Sequence, residues 1–145
     1  MQKNADRSKV LNELFRISKM GMEASEIILP RTHGRGLSAQ IKRQDENYIN
    51  LMEKSRAMLK QQSEEPEGVR KNVQNMLRGA IKADTWMRRD PQHISEMMVR
   101  GAAMGIVGIT KVLNHAPDCD VKTRKMAEEY ISSEEQNIDH LKGFL

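Results

Sequence analysis

The stretch Leu11–Leu29 reads LNELFRISKMGMEASEIIL and places apolar or small side chains at every third or fourth position. That spacing is typical of an α-helix that turns one face toward a core. The same spacing recurs in four further segments, and none of the five shows the alternation that predicts a β-strand. Proline is poorly tolerated inside a helix, because it lacks the amide hydrogen and clashes with the preceding turn. The segments are separated by four prolines: Pro30, Pro66, Pro91 and Pro117.

This pattern predicts an all-α fold, an antiparallel up-and-down bundle of four long helices plus a fifth, within one domain that spans residues 1–145. Short connections between long amphipathic helices place sequential neighbours antiparallel. The sequence also predicts where two of the helices begin. Asp90 stands before Pro91, which suits an N-cap followed by proline in the first turn. After Pro117, either Asp118 or Asp120 is expected to cap the fifth helix.

Composition excludes several classes of protein. Of the 145 residues, 38% are hydrophobic and 30% are charged, a balance typical of a folded globular chain. The longest apolar stretch without charge, Gly101–Thr110, is about half of the ~20 residues that a membrane-spanning helix needs. The polar start MQKNADRSKV does not resemble a secretory signal, and the single cysteine, Cys119, cannot form an internal disulfide. We therefore expect a cytoplasmic protein that does not span a membrane.

The formal net charge of +4 is unevenly distributed along the chain. Residues 119–145 carry four basic and six acidic side chains, a net charge of −2, which leaves +6 for residues 1–118. A basic surface can bind phosphate backbones. Here the basic residues are interleaved with acidic ones, and neither a helix-turn-helix spacing nor an aromatic stacking platform accompanies them. The sequence therefore argues against nucleic acid as a partner and favours a solvated, mildly basic surface.

Carboxylates on the predicted inner faces are the candidate metal ligands. Asp84 and Glu134 fall near the centres of their apolar stripes, Glu26 at the edge of its stripe and His93 on the flank. Because a buried carboxylate is costly unless it is paired or metal-bound, these four residues form an alternative iron or manganese site. Dinuclear carboxylate bundles use Glu-x-x-His, and no histidine of this chain is preceded by glutamate at that spacing. The expectation is therefore no cofactor, with carboxylates that pair with Lys and Arg or face water.

Gln44 and Tyr48 occupy central positions one turn apart on the second predicted helix. An unsatisfied buried amide is expensive, so a hydrogen-bonded pair at these positions would favour one helix register over others. Ligand binding by the same two side chains is the alternative.

The fourth predicted helix carries Gly101, Gly105 and Gly108 on one face. Each glycine inside a helix lowers helix stability by ~1 kcal/mol relative to alanine. Three glycines on one face therefore call for a physical explanation. Close approach of another helix, from the same chain or across a dimer, is the commonest one. Room for a ligand is a second reason, although the sequence marks no convergent polar groups there. We therefore predict a homo-oligomer that associates through this helix.

The chain is rich in methionine, with eleven in 145 residues. Methionine fills irregular gaps and suits adaptable contact surfaces. Thioethers also bind cuprous ion, although helical spacing favours core packing for these side chains. The methionines concerned are Met20, Met22, Met97, Met98 and Met104.

Three stretches together carry a resemblance: LNELFRISKMGMEASEIILPR (Leu11–Arg31), HISEMMVRGAAMGIVGITKVLNHAPDCD (His93–Asp120) and AEEYISSEEQNIDHLKGFL (Ala127–Leu145). They resemble an uncharacterised group of small helical proteins from clostridia-like bacteria, related to the ferritin-like bundle superfamily. The resemblance implies a cytoplasmic, ferritin-like bundle. It implies no activity, since the metal-ligand motif that would carry one is missing from this chain.

No catalytic motif stands out in the sequence: it contains no evident Cys-His arrangement, no phosphate-binding glycine loop and no serine nucleophile elbow. We therefore expect a non-catalytic, self-associating helical-bundle protein with a structural or protein-interaction role. The alternative is a ferritin-like metalloprotein with an atypical carboxylate site.

Overall fold

The computed structural model describes residues 2–67 and 71–145, and it confirms the all-α prediction. These residues form five α-helices and contain no β-strand. A short 3-10 turn, Leu29–Arg31, joins the first two helices and contains Pro30. The helices are α1 (Gln2–Ile28), α2 (Arg35–Gln61), α3 (Lys71–Met87), α4 (Pro91–Asn114) and α5 (Val121–Lys142).

Two helices begin at aspartate caps, as the sequence predicts. Asp90 precedes α4, and its carboxylate accepts a hydrogen bond from the backbone N–H of His93 at 3.1 Å, with Pro91 in the first turn. Asp120 precedes α5 and accepts from the backbone N–H of Thr123 at 3.1 Å. Each aspartate satisfies one of the amide groups that a helix start leaves without a partner.

Helix α1 contacts every other helix. Near its start, Ser8 accepts a hydrogen bond from Gln62, just past the end of α2, at 3.0 Å. Further along α1, Gly21 lies against the ring of Tyr48 in the middle of α2. The two helices therefore run in opposite directions.

Helices α4 and α5 are also antiparallel. The Ser95 hydroxyl, near the start of α4, donates to the backbone carbonyl of Leu141 near the end of α5 at 2.5 Å. Gly105, beyond the middle of α4, lies against Tyr130 in the first half of α5.

The apolar core is divided into two clusters with a polar layer between them. Along α2, Gln44 lies between residues of the two clusters, and along α5 Glu134 and Asn137 do the same. One cluster includes Leu11, Leu14, Leu59, Ile109 and Ala127. The other includes Ile28, Leu37, Ile41, Ile94 and Leu141.

Helix α3 has 17 residues, fewer than the other four, and packs mainly on α1. Its outer surface exposes large apolar side chains, among them Met76 and Trp86. Within the described parts of the chain, no helix combines the length and the apolar character needed to cross a bilayer.

Candidate functional site

The polar layer is organised around the carboxylate of Glu134 on α5, which is 2% exposed. The Tyr48 hydroxyl lies 2.9 and 3.0 Å from its two oxygens. Asn137 donates from Nδ2 to Oε1 at 2.8 Å, and the Tyr130 hydroxyl lies 3.5 Å from Oε2. Three uncharged donors from two helices therefore converge on one buried carboxylate.

A chain of amides supports this cluster from α2. Gln40 donates from Nε2 to Asn137 Oδ1 at 3.2 Å and to Gln44 Oε1 at 3.0 Å. Arg43 donates to Gln40 Oε1 at 2.6 Å, which fixes the orientation of that amide. Gln44 donates to the Tyr48 hydroxyl at 3.4 Å, so the predicted Gln44–Tyr48 pair is present and belongs to a larger network.

Glu134 makes no ion pair with any side chain that the structure describes. Burial raises the pKa of this carboxyl, against the hydrogen bonds from Asn137, Tyr48 and Tyr130, which lower it. Burial and the nearby Glu134 charge raise the pKa of Tyr48 and of Tyr130. Both phenols therefore stay protonated and donate, while the carboxyl can take up or release a proton.

Two glycines allow the two tyrosines to pack closely against neighbouring helices. A Cβ at Gly21 would lie 2.9 Å from two atoms of the Tyr48 ring, so the bare backbone of α1 lets that ring lie close. A Cβ at Gly105 on α4 would overlap the Tyr130 hydroxyl. Helix α2 therefore packs closely on α1 at Gly21, and α5 packs closely on α4 at Gly105, because glycine has no side chain.

A cleft of about 280 Å³ opens between α1, α3 and α4, and Tyr48, Tyr130 and Glu134 form part of its lining. This volume lies just below the ~300–1,000 Å³ range of small-molecule pockets. The remaining lining is mainly apolar. It includes Ile17, Met20, Leu77, Ile81, Met97 and Met98.

Three further charged side chains line the cleft: Arg16 and Glu23 on α1 and Arg78 on α3. Arg16 forms an ion pair with Glu13, which raises the pKa of its guanidinium. All three are more exposed than Glu134. Among the charged lining residues that the structure describes, Glu134 alone is buried.

A smaller cleft of about 170 Å³ lies between α2 and α5 and shares Tyr48, Tyr130 and Glu134 with the first. These three side chains therefore border both clefts. Lys54 and Glu129 are the other charged residues that line the smaller cleft.

The structure brings together two of the four residues of the alternative metal site. Asp84 Oδ2 on α3 lies 2.5 Å from His93 Nε2 on α4. Glu26 is exposed on α1, and Glu134 is bonded within the polar layer. No three His, Cys, Asp or Glu side chains are grouped for a metal ion anywhere in residues 2–67 and 71–145. A resident iron or manganese generally needs at least three protein ligands, and these four residues do not form such a set here.

The three glycines of α4 have different surroundings. Gly105 receives Tyr130, and a Cβ at Gly108 would lie 2.8 Å from a carboxylate oxygen of Glu13 on α1. Gly101 faces open space in the cleft, with nothing within 4 Å of a Cβ built there. Close contact with side chains of other helices in the same chain therefore explains Gly105 and Gly108. Gly101 instead borders open space in the cleft.

Four of the five highlighted methionines line the same cleft, namely Met20, Met97, Met98 and Met104. The fifth, Met22, packs against the larger core cluster. Flexible, polarizable side chains of this kind can adapt a cleft wall to different shapes.

Sequence reasoning missed Tyr130, Asn137, Gln40 and Gly21 as parts of this site. A signal for two of them was available. Tyr130 and Asn137 stand four residues before and three residues after Glu134, the separations that share one helix face. A carboxylate flanked in this way by a phenol and an amide indicates a polar layer rather than an isolated buried charge.

Comparisons with protein-family models, with curated proteins and with solved structures found no match to this chain.

Proposed function

We propose that this protein is a non-catalytic binding protein whose cleft between α1, α3 and α4 takes up a small molecule. The apolar body of that molecule lies among the methionine and isoleucine side chains, and its polar end lies at Glu134. One observation carries the proposal: an open, mostly apolar cleft includes in its lining a buried carboxylate whose hydrogen-bond partners, within the part of the chain that the structure describes, are all uncharged.

Both packing and electrostatics favour ligand binding over a purely structural role for this region. A space between packed helices forfeits dispersion contacts that a filled core would gain. A buried carboxylate without a cation also loses hydration that its hydrogen bonds replace only in part. Both disadvantages are relieved when a ligand fills the space and contacts the carboxylate.

Saturable binding of an uncharged apolar dye, N-phenyl-1-naphthylamine, tests the proposal. Gly101→Leu adds a side chain where the cleft is open, and we expect it to weaken dye binding about tenfold or more, through steric exclusion. Ala103→Leu is the matched control, because Ala103 is exposed on the same helix and does not line the cleft. Fluorescence titration measures both. Equal dye affinity in the two variants, or a lack of saturable binding to the wild type, would contradict the proposal.

We further propose that the five helices form an up-and-down, ferritin-like bundle and that the protein is cytoplasmic. The antiparallel α1–α2 and α4–α5 pairs support the bundle topology. The free thiol of Cys119, which is buried, supports a reducing compartment.

Self-association through the helix that carries Gly101, Gly105 and Gly108 is part of the same proposal. Met104 and Val107 on α4 are 73% and 52% exposed, which supports it because large exposed apolar side chains favour contact with a partner. We expect Met104→Glu to shift the molecular mass measured by light scattering toward the monomer. Val121→Glu, at an exposed site on α5, should leave the mass unchanged. A wild-type protein that stays monomeric at high concentration would refute self-association.

A ferritin-like metalloprotein with an atypical carboxylate site is the second candidate, in which Asp84 and His93, neighbours in the fold, would supply two of the ligands. Elemental analysis of protein purified without a metal-binding tag or chelator separates it from the first. Stoichiometric iron or manganese that is lost in Asp84→Ala would establish this candidate, and metal-free protein would refute it.

A further inference from the structure

We propose that the cleft selects an organic ammonium ion, a small molecule with one positively charged nitrogen on a short apolar body, held by Glu134 together with Tyr48 and Tyr130. This inference rests on the proposed binding function and adds the chemical class of the ligand. It is carried by the surroundings of the carboxylate and by the distribution of charge along the cleft.

The carboxylate retains capacity for a further donor. An ionised carboxylate has about four acceptor sites, while the structure supplies one hydrogen each from Tyr48, Tyr130 and Asn137. The Tyr130 contact is also long, at 3.5 Å. All three donors are uncharged, so among the described side chains the negative charge of the ionised form has no counter-ion. An ammonium nitrogen brings both the missing donors and the opposite charge.

The two tyrosines suit a cation for a second reason. The face of an aromatic ring attracts an ammonium group through its quadrupole. Tyr48 and Tyr130 both line the cleft, where they pack against Gly21 and Gly105. Burial and the Glu134 charge keep both phenols in their neutral form. A carboxylate beside two ordered aromatic rings is well matched to an ammonium ion.

The charges at the more exposed parts of the cleft do not reverse this preference. Arg16 is already paired with Glu13, and on the same helix Glu23 is hydrogen-bonded by Gln74 of α3. The remaining cation, Arg78, is exposed. The buried charge in the cleft is thus negative, and buried charges are screened by solvent much less than exposed ones.

The apolar lining and the volume limit the body of the ligand. A cleft of about 280 Å³ with walls of methionine, isoleucine and leucine suits a short alkyl chain or a single ring. It does not match a polyamine, whose additional charges would lie along apolar walls without partners.

Three probes with the same alkyl chain separate charge from shape: hexylamine, 1-hexanol and hexanoate. Near neutral pH an alkylamine is protonated, as lysine is. Displacement of N-phenyl-1-naphthylamine measures the affinity of each probe for the full-length wild type. We expect hexylamine to bind about tenfold or more tightly than 1-hexanol, and hexanoate to bind most weakly.

Glu134→Gln keeps the shape of the side chain and removes its charge. We expect this variant to bind hexylamine and 1-hexanol equally well. Glu135→Gln, at the exposed neighbouring position, is expected to keep the full preference for the amine. Binding of 1-hexanol and the thermal unfolding transition serve as checks that Glu134→Gln is folded and its cleft intact.

The outcomes distinguish this inference from the proposed function. Equal binding of amine and alcohol by the wild type, or tightest binding of hexanoate, would overturn selection for a cation while leaving the cleft a binding site. A preference for the amine that survives in Glu134→Gln would overturn the role of that carboxylate. Failure of the dye to bind the wild type would refute the proposed function itself, and failure of hexylamine to displace a bound dye would refute the cation inference alone.

Discussion

Gly105→Ala is expected to lower the free energy of unfolding by about 1–3 kcal/mol, the usual cost of overpacking a filled core. The new Cβ would overlap the Tyr130 hydroxyl, and Tyr130 is itself buried against the larger core cluster. Moving that side chain gives up its contact with Glu134 and leaves a buried hydroxyl without an acceptor. The better helix propensity of alanine, worth up to ~1 kcal/mol, offsets only part of this loss.

Gly101→Ala is the matched control on the same helix, four residues earlier, and the opposite sign is expected there. A Cβ at Gly101 meets nothing within 4 Å, so no steric clash offsets the higher helix propensity of alanine. The free energy of unfolding is therefore expected to rise by about 0.5–1 kcal/mol. Urea denaturation of the two variants and the wild type measures both changes. Two variants that shift stability in the same direction would show that the α4–α5 contact does not depend on the missing side chain at Gly105.

Tyr48→Phe is expected to lower the free energy of unfolding by about 1.5–3 kcal/mol at neutral pH, the second large effect. Its hydroxyl is close to both oxygens of Glu134 and also accepts from Gln44, so its removal affects two buried groups. Tyr130→Phe is the comparison variant. Because the Tyr130 hydroxyl lies 3.5 Å from the carboxylate, its loss is expected to cost less than about 1 kcal/mol.

The cost of Tyr48→Phe should also depend on pH. The pKa of Glu134 is raised in the folded protein, so the folded state holds this proton more tightly than the unfolded state. Its contribution to stability is therefore largest in acid and is lost as the pH rises through the folded pKa. Removing a donor to the ionised carboxylate raises the folded pKa further. The difference from wild type should thus be larger at neutral pH than in mild acid. A pH-independent difference, measured by denaturation at the two pH values, would show that Tyr48 stabilises the fold without involving the charge on Glu134.

The helices and their starts were predictable because their determinants are local. Proline positions set the segment boundaries, and the caps Asp90 and Asp120 act within three residues of themselves. Periodic apolar side chains then identify the buried face of each segment. Such signals lie within a single helix, so a single sequence can carry them.

The candidate site depends on contacts between helices, and these were less accessible from the sequence. Glu134 was recognised as an inner polar residue, but its partner on α2, Tyr48, lies 86 positions away in the chain, and helical periodicity does not specify which faces meet. The metal interpretation grouped it with Asp84 and His93 because all lie on inner or flanking faces. In the structure those two residues pair with each other, while Glu134 belongs to the polar layer.

The glycines of α4 show the same limit. Because glycine lowers helix stability, three glycines on one face indicated that this face has a role. The sequence left three explanations open: contact with a neighbouring helix, contact with a second chain, or space for a ligand. The structure assigns Gly105 and Gly108 to contacts with Tyr130 and Glu13 and leaves Gly101 open to the cleft. Whether a neighbouring side chain occupies the space beside a glycine depends on where that side chain lies. Its position is set by how the helices pack, which a single sequence does not specify.

A crystal structure of the protein grown with hexylamine would show directly whether Glu134 receives a cation. We expect the hexyl chain to lie in the cleft between α1, α3 and α4, with its nitrogen about 2.7–2.9 Å from a carboxylate oxygen of Glu134. Hexylamine bound elsewhere, or oriented with its nitrogen toward Glu23 at the more exposed part of the cleft, would contradict the assignment of Glu134 as the group that receives the cation.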